Sequence, residues 1–169
     1  MPAFGAQRVS KDENMQEKNG MMIKAIENGT VLDHIPPKML ANIISVLKLN
    51  DLAVPWTVGN NFQSKKALGG TKAFIKVTDY YFKKEDLYLV SLFAPNATVN
   101  IIESSTVVKH KIEIPSQVEK LLKCMNPTCI TNKPGEPFET SLAVSKTESG
   151  LPQLICKYCQ KISTQVHLR

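Results

Sequence analysis

The chain has 169 residues, 43% of them hydrophobic, with 21 Lys plus Arg against 15 Asp plus Glu and a net charge of +6 at pH 7. That length suits one domain or two small ones, and the longest near-continuous apolar run, Leu87 to Ala94, is far short of the roughly 18–20 residues of a membrane-spanning helix. Residues 116–169 hold 7 cationic and 4 acidic side chains, leaving 14 and 11 for residues 1–115, so each part carries +3 and no basic run marks a nucleic-acid footprint.

Residues 1–19 are polar and without periodicity, which predicts a mobile arm. Structure is expected from Gly20. Met21 to Ile26 and Val31 to Ile35 are two apolar runs around Asn28-Gly29, a pattern that predicts a hairpin because both turn residues tolerate positive φ. Pro36-Pro37 then opens a helix whose inner stripe is Leu40, Ile43, Ile44 and Leu47. Val54 to Val58 and Lys72 to Val77 read as strands, separated by a polar loop with Ser64, Lys65, Lys66, Gly69 and Gly70.

A second helix is predicted from Lys84 to Ala94, with Glu85 and Asp86 where the helix dipole favours acids, and with Leu89, Leu92 and Phe93 facing inward. Strands follow over Thr98 to Ile102 and Ser105 to Ile114. In the second, Val108, His110, Ile112 and Ile114 alternate with Val107, Lys109, Lys111 and Glu113. This order predicts an α+β fold, a ferredoxin-like antiparallel sheet with two helices on one side. Pro115-Ser116 reads as a linker, which divides the chain into an arm (1–19), a first domain (20–115) and a small all-β domain (116–169). Gln117 to Lys123 is expected to be a short helix leading into the second domain.

That second domain holds all four cysteines: Cys124-x4-Cys129, 26 intervening residues, then Cys156-x2-Cys159. Two short loops that each present a thiolate pair can close a tetrahedron around one zinc ion. Four thiolates fill the shell and leave no place for an activated water, so the metal is expected to be structural rather than catalytic. Disulfides are the competing use. Nothing resembling a secretory signal precedes the cysteines, so reduced thiols and a cytoplasmic setting are expected.

Three stretches in order carry a resemblance: Gly29-Thr30-Val31-Leu32-Asp33-His34-Ile35-Pro36, Ala94-Pro95-Asn96-Ala97-Thr98-Val99-Asn100, and the paired cysteines with Cys156-Lys157-Tyr158-Cys159. From about Met21 to the C-terminus the chain resembles the regulatory chain of aspartate carbamoyltransferase. The resemblance implies a non-catalytic subunit of pyrimidine biosynthesis, with an allosteric domain that binds nucleoside triphosphates and a zinc domain that docks on the catalytic chain. Regulatory homodimers would link catalytic trimers, with CTP and UTP as inhibitors and ATP as activator; neither a membrane nor a nucleic acid is an implied partner.

Carried over position by position, the resemblance implies main-chain and apolar contacts to the base from Ala25, Ile26 and Val31. Asp33 would lie near sugar and phosphates and His34 against phosphate, with Lys76 reaching the sugar, Asn100 and Ile102 on the neighbouring strand and Val107 against the base. A second phosphate lysine falls, by ungapped counting, on His110, flanked by Lys109 and Lys111, and an aromatic position near the base is held by Ser105. Asn126 and Lys161 match residues at the interface with the catalytic chain, whereas Thr147 stands where a charge is expected.

Without the resemblance, His34 beside Asp33 reads as a hydrogen-bonded histidine at a strand end, Lys76 as a solvated strand residue, Ile102 and Val107 as core, and His167 as surface. The rival assignment is a zinc-ribbon nucleic-acid-binding module with an accessory α+β domain. Against it, the zinc tail offers only Phe138 and Tyr158 for stacking, and its lysines are scattered. No nucleophile with a partnered base and no phosphate-cradling glycine loop points to an enzyme.

Overall fold

The computed structural model describes residues 25–65 and 69–166. The expected arm, the run from Met21 to Lys24, Lys66 and His167 lie outside the described residues. Five strands, β1 (Gly29–Ile35), β2 (Trp56–Gln63), β3 (Thr71–Thr78), β4 (Thr98–Glu103) and β5 (Thr106–Lys111), form one antiparallel sheet in the order β2-β3-β1-β4-β5. Helix α1 (Leu40–Val46) joins β1 to β2, and α2 (Lys84–Phe93) joins β3 to β4. Apart from the added β5, this is the ferredoxin-like arrangement expected from the element order.

One face of the sheet is apolar because the strands alternate: Leu32, Ile75, Val77 and Val99 are buried there with Leu40, Ile43 and Leu47 of the α1 segment and Leu89, Val90 and Leu92 of α2. Ile44, expected in the stripe, is only partly buried. The acids at the start of α2 behave as the dipole predicts, and Asp86 accepts a hydrogen bond from the Lys83 amide at 3.1 Å. Among the described residues no helix covers the opposite, outer face of the sheet.

Several expectations need correction. Asn28-Gly29 is not a two-residue hairpin turn: Gly29 already belongs to β1, opposite both Thr78 and Ile102. It is glycine for a steric reason, since at φ 130 a Cβ would lie 2.2 Å from the Val77 carbonyl oxygen. β2 starts at Trp56 rather than Val54 and runs on to Gln63, with a register shift between Gly59 and Phe62 and Asn61 at φ 60. The β4–β5 turn is Ser104-Ser105, at φ 47 and 64, so Ser105 is a turn residue and β5 begins at Thr106. Ile112 has left β5, which ends at Lys111, and is buried.

Beyond Pro115 a second antiparallel sheet, in the order β6-β7-β8-β9, is built from β6 (Gln117–Glu119), β7 (Ser141–Lys146), β8 (Pro152–Cys156) and β9 (Ile162–Ser163). The helix expected over Gln117 to Lys123 is absent. Val118 and Leu122 have helical spacing and are both buried, but β7 offers Gln117–Glu119 an edge to pair with, and Lys120 at φ 64 turns the chain off it. This sheet lies against the helices. Met39, Leu92 and Phe93 meet Leu151, Pro152 and Val166 around one groove, and Tyr88 and Leu89 meet Val118 and Leu121 around another.

Candidate functional site

The cysteines converge. Cys124 and Cys129 flank one loop, Cys156 ends β8 and Cys159 closes the turn after it, and the four Sγ atoms lie within 4.8 Å of one another. Cys124 and Cys159 are 3.5 Å apart and Cys129 and Cys156 3.8 Å. A disulfide requires about 2.05 Å, whereas a tetrahedron with metal–sulfur bonds of about 2.3 Å has edges of about 3.8 Å. The spacing therefore fits one tetrahedral ion and excludes paired disulfides.

The loops are held for that purpose. The Asn126 amide donates to Cys124 Sγ at 3.4 Å, and Asn132 Nδ2 donates to the carbonyls of Cys124 and Asn126, both at 2.8 Å. Gln160 at φ 59 lets its amide return to the Cys156 carbonyl at 2.9 Å. Burial raises the Cys124 and Cys156 thiols above their ordinary range. At Cys159 burial acts in the same direction but is outweighed by the Lys161 amide and the Asn126 side chain, which bring it down to about 7. Asn126, marked as an interface residue, already spends its side-chain oxygen on the amide and hydroxyl of Thr128, at 3.1 and 2.8 Å. The Lys161 carbonyl takes the Cys156 amide at 3.0 Å, and Lys161 is exposed. Thr147 accepts the Leu151 amide at 3.1 Å.

The second candidate site is the outer face of the five-stranded sheet. Directly opposed residues on neighbouring strands share a face, so the register sorts the marked residues into rows. Thr78, Gly29, Ile102 and Val107 form an apolar row at one end, and the Ser104 and Ser105 amides there donate to Asn28 Oδ1 and the Glu27 carbonyl, each at 2.9 Å. That ties Ala25 and Ile26 to the same end; Ala25 is exposed and Ile26 half-buried. Thr57, Lys76, Val31, Asn100 and Lys109 form the middle row. Asp33, Thr98 and Lys111 form the far row, about 14 Å along the strands from the first.

In the far row Lys72 reaches Asp33 at 2.7 Å. His34, at φ 60, sits on the irregularity between Leu32 and Ile35, with Nδ1 3.2 Å from Asp33 Oδ2 and 3.3 Å from Thr98 Oγ1. Partial burial lowers the Lys76 ammonium below the ordinary lysine value, so an anion beside it relieves a desolvation cost. Lys72 had no marked role in the sequence; only its parity with Lys76 along β3 could have found it. Ser105 sits at the hairpin tip. Among the marked residues of β4 and β5, His110 falls on the other parity, opposite Val99. The outer face thus runs from an apolar end to an end bearing cations, a gradient suited to a ligand with an apolar ring and an anionic tail.

A family model described as the allosteric domain of the aspartate carbamoyltransferase regulatory chain matches residues 21–114, and one for the metal binding domain of that chain matches residues 116–168. Among curated proteins, the aspartate carbamoyltransferase regulatory chain of Porphyromonas gingivalis is 40% identical over 146 residues, covering 86% of this chain and 93% of the other. That of Phocaeicola vulgatus is 41% identical over 145 residues (85% and 90%), and that of Methanococcus vannielii 36% over 147 residues (86% and 95%).

Proposed function

Because the chain belongs to the family of aspartate carbamoyltransferase regulatory chains, it is a regulatory and not a catalytic subunit, and we propose that it senses nucleoside triphosphates on the outer face of its first sheet. The observation that carries this reading is the gradient along that face. The base lies against Ile26, Val31, Ile102 and Val107, where the main chain of Ala25 and Ile26 reads its edge. Lys76 and Asn100 hold the sugar, and His34 faces the phosphates with Asp33 beside it. CTP and UTP, as inhibitors, compete there with ATP, as activator. Each biases the assembly through whatever contact differs between its quaternary states.

In the same reading residues 116–169 form the docking domain. Cys124, Cys129, Cys156 and Cys159 hold one zinc ion that staples two loops. Asn126 positions the first loop by its own hydrogen bonds, and Lys161 meets the catalytic chain. Residues 20–115 pair with a second copy, so that regulatory dimers join catalytic trimers in the cytoplasm, in pyrimidine biosynthesis. Among the described residues no helix is long and apolar enough to cross a membrane.

The test is reconstitution of the full chain with the catalytic chain of aspartate carbamoyltransferase. CTP is expected to lower and ATP to raise the activity of the complex, with the catalytic chain alone indifferent to both. Failure to associate, or a complex blind to both nucleotides, overturns the proposal.

A further inference from the structure

His110 coincides by simple counting with a phosphate-binding lysine, but the strand register takes it out of the site. His110 stands opposite Val99, and Val99 opposite Leu32, both buried on the helix side of the sheet. Its neighbours have the other parity: Lys109 is opposite Asn100 and Lys111 opposite Thr98, and those two are opposite Val31 and Asp33. A slip of one residue would exchange the two sets, but the register is fixed at the turn. Ser104 and Ser105 both take the left-handed conformation of a two-residue hairpin, and their amides are anchored on Asn28 and Glu27.

We infer that Lys109 and Lys111, and not His110, supply the cations on the β5 side of the phosphate tail; this rests on the nucleotide reading above. Charge on the outer face agrees. The strands place four lysines there, Lys72, Lys76, Lys109 and Lys111, against the single carboxylate of Asp33, which Lys72 already engages at 2.7 Å. Among the described residues no carboxylate pairs with Lys109 or Lys111. Both are exposed on an edge strand, within reach of a polyanion lying along β1 and β4.

The test is calorimetric titration of CTP, and separately of ATP, into the full chain and into Lys109→Gln, Lys111→Gln, the double variant and His110→Gln. All three positions are exposed, so the variants are expected to fold, and circular dichroism checks that they do. Each single lysine change is expected to weaken binding about tenfold and the double variant more, with Lys109→Arg retaining affinity. His110→Gln is expected to stay within about twofold. A loss confined to His110→Gln, or an unchanged double variant, overturns the assignment while the nucleotide reading stands. An unaltered chain that binds neither nucleotide sinks both.

Discussion

Removing the metal should unfold residues 116–169 and leave the rest of the molecule intact. Structural zinc contributes an apparent 10–16 kcal/mol, roughly, in small zinc domains, whereas a core of this size supplies about 3–5 kcal/mol at most. The staple therefore outweighs the fold it holds. Past Pro115 the sheet consists of β6 with three residues, β9 with two, and two longer strands between them. Cys156 at the end of β8 is wholly buried, so a metal-free cluster leaves several thiols packed together without a ligand.

The first sheet depends on the metal less directly: Leu32, Ile75, Val77 and Val99 are buried with residues of its own two helices, and only the far side of those helices continues the buried cluster into Val118, Leu122, Leu142 and Leu154. The sequence supplies the assay. Its single tryptophan, Trp56, lies on β2, opposite Val77, and so reports the first domain alone. Chelation at neutral pH should expose all four thiols to a thiol reagent and remove part of the far-ultraviolet sheet signal, while the Trp56 emission and its thermal transition stay unchanged. A shift of Trp56 emission in step with thiol exposure would refute the reasoning, because it would make the two sheets one cooperative unit.

Other consequences can be measured on the same chain. Lys76→Ala should weaken nucleotide binding by about 1–3 kcal/mol, the scale of a charge-assisted contact; an unchanged calorimetric affinity removes Lys76 from the site. Gly59→Ala should destabilise the first domain by about 1–3 kcal/mol in urea titration, because a Cβ there would lie 2.1 Å from the Phe74 ring; a neutral result means that the Phe62–Phe74 pair shifts freely. His34→Gly relieves a left-handed residue, which offsets the loss of its contacts to Asp33 and Thr98, so stability should change by less than about 1 kcal/mol while nucleotide affinity falls. A loss of stability above about 2 kcal/mol with affinity retained would make His34 a structural histidine.

Much of this organisation was legible because it rests on local periodicity. The α1 and α2 stripes follow from apolar spacing, and the metal centre from cysteine pairs that local loops bring together. The errors share a cause. Gly59, Asn60 and Asn61 look like loop residues, yet β2 runs through them because the Phe74 ring needs the bare glycine beside it. Val118 and Leu122 have helical spacing, but pairing with β7 decides their conformation. Counting along one chain puts His110 in the site, whereas its face is set by partners on β4. The Lys72–Asp33 pair joins residues 39 apart in sequence. In each case a distant segment decides, and nothing in the local sequence records it.

The arrangement also constrains how a nucleotide could be felt by a catalytic partner. The cation-bearing face and the cysteine-bearing sheet lie on opposite sides of the first sheet and its two helices. The interior of that domain is close-packed: Leu32, Ile43, Ile75 and Val90 have no exposed surface, and such a layer moves as a unit rather than deforming. The boundary with the second sheet is different. Grooves of 420 and 370 Å³ open there, one beside Tyr88 and Val118 and the other beside Phe93 and Leu151, so this boundary is filled less tightly than the interior of the first sheet, although the buried cluster continues across it to Val118, Leu122 and Leu154. Between them the chain runs from Ile112 through Pro115, and the Ser116 carbonyl accepts the Val144 amide at 2.9 Å, which gives the second sheet a fixed pivot. Reorientation about that pivot would open or close grooves that already exist, whereas bending either sheet would break its core. On the nucleotide reading proposed above, a signal would therefore pass as reorientation between the two sheets, a shift that small displacements at a ligand can bias.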